Sequence, residues 1–291
     1  MASDNLRGAT WMVASMAGFA VEDAFLKSAA KAMPLGQALI LMGLAGMLVF
    51  GLWAHRMQEP VLPRALLSRT MAIRSAFEIC GRLFYALAIA LTPISVASAI
   101  LQATPLVVVP AAALIFGERV SWQRWAVIAV GFVGVLIILR PGLAGFDALS
   151  LLAVVGLIGF AGRDLATRAA PPALSNAQLG VAGFAMLALS GAIILTVTGG
   201  VTLPPPLILA KVAGASVFGI FGYGALTQAM RTGDVSAVTP FRYSRLLFAM
   251  ILGVLAFGEH PDAATLTGSA IIVACGLFIL TQQARISRKP A

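Results

Sequence analysis

Phe116-Gly117-Glu118 closes one long apolar run, and Phe257-Gly258-Glu259 closes another 141 positions later. Ser95 and Ser236 keep the same spacing upstream. A further apolar run follows each tripeptide. One unit of sequence is therefore used twice. In a chain that spans a membrane, a duplication of this length points to a transporter whose halves enclose a central site.

Composition places the chain in a membrane. Its 291 residues are 60% hydrophobic and 11% charged, with mean hydropathy +0.96. A soluble domain carries about 25% charged residues. One helical crossing needs about 20 apolar residues. The sequence divides into ten such segments, at residues 7–27, 34–54, 71–91, 94–116, 121–140, 147–167, 176–198, 207–230, 236–257 and 263–282. They are apolar on all sides, whereas helices of a large soluble protein would keep a polar face. Thr92-Pro93, Pro141-Gly142, Pro171-Pro172 and Pro204-Pro205-Pro206 separate neighbouring segments, where a helix cannot easily continue. Arg7 could head a signal peptide, but Glu22-Asp23 and the lack of a small-residue cleavage site argue against one.

Orientation follows from the basic residues. Of the 20 Lys and Arg, eleven fall in loops on the N-terminal side, four on the opposite side and five within spans. The positive-inside bias puts both termini in the cytoplasm. Each half has five spans, an odd number, so the second half enters from the opposite face. The expected fold is an all-α membrane protein of ten transmembrane helices. They form two inverted five-helix repeats, 1–141 and 142–291, in the cytoplasmic (inner) membrane.

The net charge of +9 is dispersed between apolar segments, so no nucleic-acid partner is expected. Cys80 and Cys275 lie inside spans and make no disulfide or metal framework. No phosphate loop of the G-x-x-x-x-G-K-[ST] type is present, so ATP drive is not expected. His55 and His260 fall in loops and no catalytic set surrounds them. The expectation is a non-enzyme with no metal and no cofactor, whose partners are the lipid bilayer and a small-molecule substrate.

The stretch Pro105-Leu106-Val107 through Gly117-Glu118-Arg119, followed by Gly134-Val135, resembles the drug/metabolite transporter superfamily, EamA-type. Its counterpart in the second half is Thr239-Pro240, then Gly258-Glu259, Gly268 and Gly276. Leu246 stands in the place of Pro105 there, with Pro240 six residues earlier, so the second kink differs. As a whole the sequence is most similar to the YddG-type aromatic amino acid exporters. The resemblance implies an amino acid exporter, aromatic substrates favoured, working by alternating access around a central cavity.

Nine ionisable residues lie within spans: Glu22, Asp23, Glu78 and Asp164 against Arg74, Arg82, Arg163, Arg242 and Arg245. A charge at the bilayer centre costs about 3 kcal/mol, so such residues face a cavity or one another. Arg74, Glu78, Arg82 and Tyr85 share one helical face. Two readings stay open. Arg82 or Glu78 meets a zwitterion in a polar cavity, or the set braces the third span against the ninth. In Pro240-Phe241-Arg242-Tyr243-Ser244-Arg245, Arg242 is the cavity candidate, and Arg245 is expected to snorkel to the cytoplasmic surface. Arg163-Asp164 point about 100° apart and need not pair with each other. Glu22-Asp23, near a span end, is expected to be solvated.

Neutral candidates are Ser98, Gln102 and Thr104, upstream of Pro105. A proline frees a carbonyl about one turn before it, so Pro105 and Pro240 are expected hinges near the midplane. Phe218, Phe221 and Tyr223 alternate with glycines and offer an aromatic wall or ordinary packing. Gly156, Gly159 and Gly162 form a smooth stripe that reads as helix packing or a sliding surface. Arginines beside Glu78 and Asp164 leave neither free to carry a proton, so uncoupled or weakly coupled export is expected. Other readings are a drug or metabolite efflux pump, an intramembrane enzyme and a channel. The last lacks a charged ring or filter sequence.

Overall fold

The computed structural model describes residues 2–91, 100–117, 120–139 and 149–257. Of the segment that follows it describes 263–264, 266–268, 270–271, 273–275 and 278. In chain order the elements are α1 (Ala2–Ala29), α2 (Leu35–Arg56), a 3-10 turn (Arg64–Leu67), α3 (Arg69–Leu91), α4 (Thr104–Phe116), α5 (Trp122–Leu139), α6 (Ser150–Arg168), α7 (Asn176–Thr198), α8 (Pro206–Arg231), α9 (Val235–Val238), a second 3-10 turn (Thr239–Tyr243) and α10 (Ser244–Phe257). The described residues of the last apolar segment are helical. The molecule is an all-α membrane protein with ten spans in two inverted five-helix repeats.

Local chemistry sets the ends of these helices. Ser175 caps α7: its hydroxyl accepts from the Gln178 N–H at 3.2 Å, and its own N–H donates to Gln178 Oε1 at 3.0 Å. This reciprocal box satisfies two orphan amides at a helix start. Pro206 opens α8, where a missing N–H costs nothing. Gly117 closes α4 at φ 65°, a left-handed conformation that favours glycine. α2, α7 and α8 are each long and apolar enough to cross a membrane alone. Large apolar side chains cover the exterior: Leu48, Leu114, Val197 and Leu255 are exposed, as lipid requires.

Among the described residues the three most extensive helix interfaces are α1 on α8, α2 on α7, and α3 on α6. A two-fold exchange of the halves turns α1·α8 into α6·α3 and leaves α2·α7 paired with itself. The match holds at residue level. A Cβ on Gly18 would lie 3.1 Å from Gly222 Cα, and a Cβ on Gly159 would lie 2.6 Å from Gly81 Cα. Gly159 and Gly222 stand 141 positions beyond Gly18 and Gly81, the spacing of the Phe-Gly-Glu pair. Phe19 lies against Gly222 and Phe160 against Gly81, again 141 apart. In all three pairs the contacts run in opposite chain directions, as inversion demands. Small residues let these backbones approach, which is what drives helix association in lipid.

The fourth and ninth spans are both broken. Residues 100–101 are helical, Gln102 and Ala103 form a turn, and α4 starts at Thr104. The ninth span runs α9, the 3-10 turn, then α10. Beside Pro105 and Pro240, where hinges were expected, the chain passes from one helical element to the next. Pro105 and Pro240 each sit in the first turn of a new element, where proline is tolerated, and the proline inside α4 is Pro110.

Candidate functional site

An open-mouthed cavity lies between the halves, with about 950 Å³ of unfilled space, its mouth included. Lys27, Ala30 and Leu35 mark the mouth, at the end of the molecule away from the N-terminus. Its depth is ringed by charge: Glu22, Asp23, Arg82, Arg163, Arg242 and Arg245. Phe19, Tyr85 and Phe160 supply its aromatic surface. At the opposite end, Asn5 holds Asp234 through its amide at 3.2 Å and accepts from the Asp234 N–H at 2.7 Å. Arg231 donates to the Leu174 carbonyl at 2.7 Å and to Asn176 Oδ1 at 3.0 Å. That end is closed.

Beneath the cavity sits Glu78, fully buried. Its Oε1 accepts from Arg163 Nη1 at 3.2 Å and Arg82 Nε at 3.3 Å. Its Oε2 accepts the Tyr223 hydroxyl at 2.9 Å and lies 3.8 Å from Arg74 Nη2. Arg74 donates from Nε to Thr167 Oγ1 at 2.9 Å and from Nη2 to the Tyr223 oxygen. Helices α3, α6 and α8 thus meet at one carboxylate. A buried acid needs this many partners, because each unmatched charge costs several kcal/mol.

Two further pairs hold the ninth span. Arg242 on the 3-10 turn binds Asp164 on α6, and Arg245 on α10 binds Asp23 on α1. Arg163 Nε lies 2.6 Å from Asp164 Oδ1, close enough for an ion pair, but neither atom is in hydrogen-bond geometry. Neighbours on a helix point about 100° apart, which explains the poor alignment. Arg82 Nη1 approaches Glu22 Oε1 only to 3.9 Å.

Glu78, Arg82, Arg163, Tyr223 and Arg242 are brought together as one network, with Tyr85 on the cavity wall. Other expected site residues lie elsewhere. Gln102 and Thr104 are buried beside the cavity without lining it, and the Thr104 hydroxyl donates to the Leu101 carbonyl. Tyr243 packs over Gly131 of α5 and donates to the Ile128 carbonyl at 3.4 Å, which braces α5. Of the two readings for Phe218 and Phe221, an aromatic cavity wall or ordinary packing, the structure fits packing. Both are exposed, at 38% and 49%, because they point off the outer face of α8, and Phe218 stacks on Phe25. Ser98 lies outside the described residues, as do Ser95, Glu118, Arg119, Gly258 and Glu259.

Two expectations about charges are corrected. Glu22 and Asp23 are not merely solvated: Glu22 is 4% exposed and Asp23 holds Arg245. Arg245 does not snorkel to a surface, because Asp23 offers it a partner at cavity depth. One signal could have placed them. Counting 141 positions from Glu22-Asp23 lands on Arg163-Asp164, so the two halves contribute equivalent positions to one site. The described residues hold no His, Cys, Asp and Glu group suited to a metal ion.

A family model for EamA-like transporters matches this chain twice, at residues 6–140 and 146–282. The chain belongs to the EamA-like transporter family. It is a multi-pass membrane transporter. Similar proteins include an S-adenosylmethionine uptake transporter of Rickettsia prowazekii (strain Madrid E). That relative is 28% identical over 72% of this chain and 70% of its own length. A riboflavin transporter of Rhizobium johnstonii is 30% identical over 70% of this chain and 67% of its own length. A pseudopaline exporter of Pseudomonas aeruginosa is 25% identical over 88% of this chain and 90% of its own length. One crystal structure superposes with a TM-score of 0.78 at 20% identity, covering 97% of this chain and 99% of its own, which shows the fold alone. None of these relatives is named as an aromatic amino acid exporter, so the resemblance is narrowed to the EamA-like family.

Proposed function

We propose that this EamA-like transporter exports amino acids, aromatic ones favoured, by alternating access around the central cavity. The observation that carries this reading is the loose Arg82–Glu22 pair beside Phe19, Phe160 and Tyr85. An amino acid head group presents a carboxylate and an ammonium a few ångströms apart. The carboxylate fits the terminal amino groups of Arg82, and the ammonium fits Glu22, with each charge finding its opposite. An aromatic side chain then lies among rings, where each edge or stacked contact contributes about 1 kcal/mol.

In this reading the repeats 1–141 and 142–291 rock against each other. Both termini lie in the cytoplasm of the inner membrane, so the present mouth faces outward. The substrate's own gradient drives the cycle, and no chemical conversion takes place.

Protein in liposomes loaded with unlabelled tryptophan should accumulate labelled tryptophan by counterflow. Arg82→Gln should lower that rate about tenfold to a hundredfold, the worth of one charge-assisted hydrogen bond. Absence of tryptophan counterflow in active liposomes overturns the reading. A second reading, a flat neutral metabolite, draws on the relatives named as riboflavin transporters. Riboflavin counterflow without tryptophan counterflow would establish it instead.

A further inference from the structure

We propose that the cavity also takes 2-hydroxy acids, which carry a carboxylate but no amine, and that each enters with one proton, bound by Glu22. The inference rests on the amino-acid reading in that it uses the same Arg82–Glu22 pair.

Among the four acids within spans, Glu22, Asp23, Glu78 and Asp164, Glu22 stands apart. Glu78 accepts hydrogen bonds from two arginines and a tyrosine. Asp164 is bound by Arg242, and Asp23 by Arg245. Glu22 makes no hydrogen bond among the described residues. Its nearest cation is Arg82 Nη1 at 3.9 Å, beyond hydrogen-bond reach. It is packed against Gly219 of α8, which offers no polar side chain. Arg82 spends its Nε on Glu78 and leaves its terminal amino groups without a hydrogen bond among the described residues. One cation at the cavity wall is therefore shared between a loosely held acid and whatever anion enters.

The remaining surroundings decide where the balance falls. On its own helix Glu22 has Asp23 and Lys27, and across the cavity Tyr85 and Arg163. Arg242 and Arg245 face it from the ninth span but are bound to Asp164 and Asp23. Lys211 of α8 is bound to Ser28 near the mouth at 2.8 Å. α2 and α7 present only leucines. An amino acid brings its own ammonium for Glu22, so no proton is needed. A 2-hydroxy acid brings none. Its carboxylate on Arg82 then lies beside the Glu22 carboxylate, and two like charges on one guanidinium cannot both stay ionised cheaply. A proton from water onto the Glu22 carboxylate removes the conflict. Glu78 cannot take that role, because three arginines surround it.

Indole-3-lactate, tryptophan with hydroxyl in place of amine, tests this against tryptophan. Purified protein in detergent is titrated with each in weak buffer containing a pH indicator. Indole-3-lactate should take up about one proton per site, and its Kd should rise about tenfold per pH unit on the alkaline side. Tryptophan should take up none. Glu22→Gln should bind indole-3-lactate with no proton uptake and a flat pH profile, and should bind tryptophan more weakly. Indole-3-lactate bound without a proton overturns the inference. So does its failure to bind where tryptophan binds, or proton uptake that survives Glu22→Gln. If Glu22→Gln does not fold, the wild-type slope decides alone. If indole-3-lactate takes up its proton and tryptophan does not bind, the inference stands and the amino-acid reading falls. If neither binds, both fall.

Discussion

Glu78 and Glu22 lie within one helical bundle, and Arg82 reaches towards both. Their surroundings separate two roles that the sequence left open on the third span. Glu78 is fully buried and is not part of the cavity wall. It ties Arg74, Arg82, Arg163 and Tyr223 across three helices, the geometry of a brace. Arg82 and Glu22 do line the wall, where the proposed site lies. Glu78→Gln should therefore cost about 3–5 kcal/mol, because it leaves buried arginines without their shared acid. Tyr223→Phe removes one buried hydroxyl and should cost about 1–3 kcal/mol. Thermal unfolding in detergent measures both. In Tyr223→Phe liposomes tryptophan counterflow should persist, since the ring and the cavity wall are kept. Lost counterflow in a normally stable Tyr223→Phe protein would move the site down to the Glu78 node.

Helices in lipid hide which face matters. The eighth span shows this directly. Phe218, Phe221 and Tyr223 stand out in its sequence, yet two point outward and the third is fully buried beneath the cavity. In water an amphipathic stripe would assign the faces. Here lipid and protein interior are both apolar, so no stripe exists to read. The outward pair should be dispensable: Phe218→Ala with Phe221→Ala should leave the counterflow KM within about twofold, surface changes being small in effect. A large KM rise would return these rings to the substrate path. Spans and breaks were legible because proline and charge punctuate them. Cross-helix pairs such as Arg245–Asp23 were not, because their partners come from opposite ends of the chain. The glycine stripe on α6 was legible as packing, and its partner Gly81 became visible only with α3 in place.

The whole molecule is a two-fold object with unequal chemistry at equivalent positions. Phe19 and Phe160 match, as do Asp23 and Asp164, but Glu22 answers to Arg163, Arg82 to Tyr223 and Ala86 to Thr227. Sequence spacing alone contained this map, and the packing of α1·α8 against α3·α6 gives it meaning. In the present state the path opens along Ala86 and Lys27, while the equivalent positions Thr227 and Arg168 lie at the closed end. Exchanging the conformations of the two halves would close the first path and open the second, which is alternating access written in residue pairs. Thr227 is 3% exposed, and its hydroxyl donates to the Tyr223 carbonyl at 2.9 Å, so the closed state shields it. With Cys80 and Cys275 replaced by alanine, Ala86→Cys should react with an impermeant thiol reagent from the mouth side, and Thr227→Cys from the opposite side. A substrate gradient that raises one reactivity should lower the other, because any ligand that shifts the equilibrium favours one state at the expense of its counterpart. Reactivities that rise together, or a Thr227→Cys protein that stays unreactive from both sides during turnover, would show that the halves do not exchange roles.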